Sequence, residues 1–73
     1  MEQYQRLSLV AGANLKRLIK EAGMTQEEAA KRLLFSDERC IRRLIRNGIT
    51  KIDEIQRIAK ILGVPVCEFL KPL

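Results

Sequence analysis

The sequence predicts an all-α domain, and three observations predict it. Apolar residues recur at three- and four-residue steps along successive segments; capping residues and stop glycines separate those segments; and the apolar residues are mostly Leu, Ile and Ala, with Tyr4, Phe35 and Phe69 as the only aromatics. Steps of three and four follow the helical turn, whereas strands alternate and favour β-branched and aromatic side chains together. With 73 residues, 47% of them hydrophobic, the chain is expected to form one domain over residues 1–73 around a small, efficient core.

Each element follows from local signals. Leu7, Val10, Ala11, Leu15, Leu18, Ile19 and Ala22 make one apolar stripe, which predicts a helix from about Ser8, or earlier, to Ala22. Gly23 is placed to stop it. Thr25 and Glu28 have the spacing of a capping box and open a second, short helix whose inner side is Ala29, Ala30, Leu33 and Leu34. Ser36 and Asp37 are both good caps for a third helix running to about Arg46, ended by Asn47-Gly48. Thr50, with Asp53 three residues on, is expected to cap a fourth helix through Leu62, with Ile52, Ile55, Ile58, Ala59 and Leu62 facing inward. Gly63 ends that helix, and Pro65 suits the first turn of a last short helix through Leu70.

Several function classes are set aside by what the chain lacks. It has no apolar run of the length a membrane span needs, and no hydrophobic segment of the secretory kind follows the polar start, so a cytoplasmic protein is expected. Cys40 and Cys67 are read as free thiols in a reducing compartment, with a single disulfide as the alternative. No histidine is present, so the chain offers too few ligands for its own zinc site, and no cofactor is expected. A catalytic role is not expected either. The sequence has no Ser or Cys beside a base, no paired carboxylates in a pocket-forming context and no phosphate-binding loop.

The charge is concentrated. Lys31 to Lys51 holds seven cations (Lys31, Arg32, Arg39, Arg42, Arg43, Arg46 and Lys51) and two anions (Asp37 and Glu38), which accounts for the whole net charge of +5. A local positive patch on an otherwise neutral domain is what a polyanion-binding surface requires. On a helical wheel at 100° per residue, Ile41, Leu44 and Ile45 form a compact inward stripe. Arg39, Arg42, Arg43 and Arg46 share an arc of roughly 100° opposite it. The wheel places no acid in that arc, so the cations should repel one another until an anion arrives. Arginine suits DNA because its planar fork grips both guanine O6/N7 and phosphate oxygens. Asp37 reads as a cap. Glu38 sits on the flank, either accepting from cytosine N4 or stabilising the helix N-terminus.

Two segments carry a family resemblance. Gly12 to Leu18 followed by Gly23-Met24-Thr25-Gln26-Glu27-Glu28-Ala29-Ala30-Lys31-Arg32-Leu33 resembles helices one and two of the Cro/lambda-repressor-type helix-turn-helix regulators. Ile52 to Leu70, with Ile58-Ala59-Lys60-Ile61-Leu62-Gly63-Val64 at its centre, resembles their C-terminal helices. The resemblance implies a five-helix lambda-repressor-like domain with the motif at about residues 25–47 and the third helix in the major groove of double-stranded DNA. By matched position it assigns base reading to Glu38, Arg39 and Arg43 with Arg42 beside them, and phosphate contact to Lys16, Thr25, Gln26, Arg46, Asn47 and Lys51. The chain departs from the family in the turn after helix two, where Leu34-Phe35 replaces the usual glycine and one extra residue is present.

The function expected is a transcriptional regulator, most simply a repressor, working as a homodimer in a bacterial or phage setting. The dimer surface expected is Ile61, Val66, Phe69 and Leu73, with a C-terminal segment folding back over Ile61 as the alternative. The rival is a protein-interaction module, such as a small antitoxin or anti-repressor, using that same patch on a regulatory protein partner.

Overall fold

The computed structural model describes residues 2–72, and the side chains of 7–72. Four α-helices follow one another as α1 (Glu2–Glu21), α2 (Gln26–Arg32), α3 (Glu38–Asn47) and α4 (Ile52–Leu62). The expected fifth helix is instead a 3-10 segment, Val66–Leu70, entered from Pro65 in an extended conformation. The described residues form no strand.

The punctuation explains the boundaries. At Thr25 the capping box is complete: its hydroxyl accepts from Glu28 N at 3.1 Å, and the Glu28 carboxylate accepts from Thr25 N at 3.1 Å. Asp37, not Ser36, caps α3. Thr50 does not cap α4. Lys51 holds the cap position, without a side-chain hydrogen bond, because the chain stays extended one residue longer than expected.

α1, α2 and α4 end in the same left-handed turn, in which two amides beyond the helix turn back onto its last carbonyls. α1 does so through Gly23 and α4 through Gly63, at φ of 73° and 72°. α2 does so through Leu34, at φ of 63°, with Leu34 N donating to Lys31 O at 3.2 Å and Phe35 N to Ala30 O at 2.8 Å. The leucine therefore performs the geometric task of the glycine it replaces, and its side chain, expected inside, is 84% exposed.

The core draws on every element: Leu15, Leu18 and Ile19 from α1, Ala29, Ala30 and Leu33 around α2, Ile41 from α3, Ile55, Ile58 and Ala59 from α4, and Phe69 from the 3-10 helix. Ile49, in the loop after α3, joins them. Ile52 does not. It stands at the first residue of α4, beyond the core, and is 68% exposed.

The seating of α3 is fixed by two close backbone approaches. A Cβ on Gly12 would collide with the carbonyl of Leu44, and one on Gly48 would come within 2.7 Å of the Ser8 carbonyl. Bare backbone at both positions lets α1 lie directly on the end of α3, and Ile49 N donates to Ser8 O at 3.0 Å across the seam. The C-terminal end is tied to α1 by a polar knot. Asn14, buried, donates to Phe69 O and Lys71 O, each at 2.9 Å. Arg17 donates from Nε to Asn14 Oδ1 at 3.2 Å and from Nη2 to Glu68 O at 3.0 Å.

Candidate nucleic-acid interface

α3 is built to show one face. Asp37 is fully extended, which lets its Oδ1 accept from Arg39 N at 2.8 Å and satisfy a free amide at the helix start. Ile41 is completely buried beneath the helix, while Leu44 and Ile45 pack half-buried against the core. The opposite side holds Arg39, Arg42, Arg43, Arg46 and Asn47, which together line an open cleft of about 430 Å³. The arc expected from the wheel is therefore present.

The arc is not unrelieved, as the wheel implied. Asp37 Oδ2 pairs with Arg39 Nη2 at 3.1 Å, and Glu38 Oε1 pairs with Arg42 Nη2 at 2.9 Å. Asp37 escapes the wheel because a cap residue lies outside the helix, and its extended backbone swings the carboxylate over the first turn. For Glu38 a signal existed, since acid-to-arginine spacing of four favours such a pair on a helix. The hydrogen bond from the Arg39 side chain, and then the one from its backbone amide, hold the Asp37 carboxyl below its usual range. Asp37 in turn raises Arg39. Neither Arg43 nor Arg46 has a carboxylate within ion-pair distance among the described residues.

The remaining expected contacts lie outside the cleft. Lys16 is exposed on α1, Lys51 is exposed ahead of α4, Thr25 is exposed at the cap of α2 and Gln26 is half-buried at its first residue. Arg57 was not among the expected residues, yet it fastens the support under the site. Its Nη1 donates to Leu33 O at 2.7 Å at the end of α2, and its guanidinium lies over the Phe35 ring at 5.2 Å. No local sequence signal pairs residues so far apart.

The expected dimer surface is not assembled as drawn. Phe69 is fully buried, held inside by the Asn14 knot, and Ile61 is half-buried against the core. Val66 is exposed, and Leu73 lies outside the described residues. In their place Leu7, Ile49, Ile52, Ile55, Val66 and Leu70 line an apolar groove of about 450 Å³. The described residues contain no cluster of three metal-ligating side chains, and Cys40 and Cys67 are free thiols. No helix among them is long and apolar enough to cross a membrane.

A family model described as helix-turn-helix matches residues 15–69, three-quarters of the chain and inclusive of α2, α3 and α4. No curated protein and no solved structure matches the chain.

Proposed function

From the premise that the chain belongs to the Cro/lambda-repressor-type helix-turn-helix family of DNA-binding regulators, we propose that it is a sequence-specific duplex-binding repressor that reads the major groove with α3. The observation that carries this reading is the cleft of Arg39, Arg42, Arg43, Arg46 and Asn47 above a buried Ile41. An exposed arginine arc on a rigid helix presents bidentate donors to guanine O6/N7 and to phosphates, and a major groove is wide enough for the helix. Base reading falls to Glu38, Arg39, Arg42 and Arg43. Arg46 and Asn47 follow the phosphates, with Lys16, Thr25, Gln26 and Lys51 as outlying backbone contacts.

A homodimer suits this reading, because a two-fold pair of α3 helices spaced by one turn of DNA would read a symmetric site. The groove between Leu7, Ile52, Val66 and Leu70 supports an apolar subunit contact of that kind better than the Ile61 and Phe69 surface does. The same groove also favours the second reading, in which the domain chiefly binds a partner protein.

Selection of bound duplexes from a random pool tests the proposal. Enrichment of a two-fold symmetric motif, with half-sites about ten base pairs apart, is expected. Recovery of unenriched DNA would reject sequence-specific reading.

A further inference from the structure

The four arginines of α3 are sorted by their partners. Arg39 and Arg42 each hold an acid, while Arg43 and Arg46 hold none among the described residues. We infer that Asp37 is a positioning residue for recognition: it braces the Arg39 guanidinium so that the donors left over read one guanine in each half-site. The inference rests on the duplex reading proposed above and names the base that this part of the site selects.

The carboxylate is used at both oxygens. Oδ1 is fixed by the Arg39 backbone amide at 2.8 Å, and Oδ2 takes one N–H of Arg39 Nη2 at 3.1 Å. The brace is therefore anchored to the helix itself, and the guanidinium inherits that orientation. One Nη2 hydrogen, both on Nη1 and the one on Nε remain. Two parallel donors match guanine, which presents O6 and N7 as acceptors, and mismatch adenine, which presents a donor at N6. The Arg39 side chain is 81% exposed, and Asp37 is its ion-pair partner.

Two alternatives explain the pair less well. A cap alone does not need a charge, since Asn caps as well as Asp. An exposed ion pair adds little stability. A carboxylate on a face that meets phosphates carries a repulsion that the small gains from the helix dipole and the exposed pair offset only weakly. Pre-orienting a long, flexible side chain does offset it, because the rotamer freedom is lost before binding and not during it. The brace is charged at neutral pH as any aspartate is, and the Arg39 side-chain hydrogen bond, which lowers the Asp37 carboxyl, extends that charge further into acid.

The test is selection from random duplex by the full chain as wild type, Asp37→Asn and Arg39→Ala, followed by titration of the selected site and of random duplex. The Asp37→Asn substitution keeps the cap oxygen and loses the charge. The wild type should return a motif with a guanine in each half-site, and replacing that base by 7-deazaguanine should weaken binding by about tenfold. Asp37→Asn should flatten that one position by about tenfold while leaving the other positions intact. Its affinity for random duplex should hold or rise, because a negative charge is gone. Arg39→Ala, at an exposed site, should flatten the same position. The inference is overturned if Asp37→Asn keeps the guanine preference, if it erases all positions together, or if the wild-type motif lacks a guanine answering to Arg39. A wild type that selects no motif would instead reject the duplex reading on which the inference stands.

Discussion

Arg17 and Arg43 are the same residue type on neighbouring helices, and the molecule treats them in opposite ways. Arg17 is partnered from within: it donates to Asn14, to Glu21 and to the carbonyl and carboxylate of Glu68. Its hydrogen bond to Glu21 is the main reason that its pKa is raised. Arg43 lies exposed in the α3 cleft with no acid in reach among the described residues. Where a guanidinium's partners tie it to a distant element of the chain, as Glu68 ties Arg17, it serves the fold. A row of them exposed together, only half of them paired, is held ready for an anion from outside. The same contrast separates Asn14, buried with every donor used, from Asn47, exposed on the rim of the cleft.

The largest effect should come from the support beneath the reading face. Ile41→Ala removes a fully buried side chain and should cost about 2–5 kcal/mol in urea unfolding; an unchanged midpoint would remove α3 from the core. On the tied side, Asn14→Ala strands the carbonyls of Phe69 and Lys71 and should cost about 1–3 kcal/mol of stability. Arg43→Ala should show the mirror image. Its thermal midpoint should stay at the wild-type value while affinity for the selected site drops by about 1–3 kcal/mol. If Arg43→Ala unfolded the domain and Asn14→Ala did not, the division between the two regions would be wrong.

Smaller effects sharpen the picture. A non-glycine residue in the left-handed region carries about 1–2 kcal/mol of strain, and part of that gain returns as unfolded-chain entropy when glycine replaces it. Leu34→Gly should therefore stabilise the domain by about 1 kcal/mol, read as a raised thermal midpoint. Acid should weaken the fold gently. Lys71 and then Arg17 lower the Glu68 carboxyl, the Thr25 amide lowers Glu28, and the Arg39 side chain lowers Asp37. Groups lowered by folding add stability that is complete above their unfolded values and disappears as pH falls through the carboxylate range. A flat stability curve below neutrality, down through that range, would show that these contacts are not held in solution.

Much of this architecture was legible in the residues because its signals are local. The capping box at Thr25, the stop at Gly23 and the aliphatic stripe under α3 each lie within a few positions of one another, so periodicity and capping chemistry suffice. What escaped depends on distant segments meeting. Phe69 resembles a surface residue on a short C-terminal helix until Asn14, more than fifty residues earlier, pulls its carbonyl inward. Ile49 looks like a loop residue until its amide meets Ser8. Ile52 fits the stripe of α4 by spacing, yet the helix begins there and nothing covers it. The unusual turn was visible as a missing glycine. That Leu34 adopts the glycine's backbone angle was not, since spacing alone does not choose between a strained residue and a shifted helix. Within the site, the arginine arc was readable from the wheel, while the Asp37 brace lies outside any wheel.

The most direct test of the outward arginine face is the salt dependence of duplex binding, followed by fluorescence anisotropy with the wild type and Arg46→Ala. A face that neutralises about six phosphates predicts a log–log slope near −5, and loss of one phosphate contact should bring it about one unit closer to zero. A wild-type slope near zero, or the same steep slope in both proteins, would contradict it.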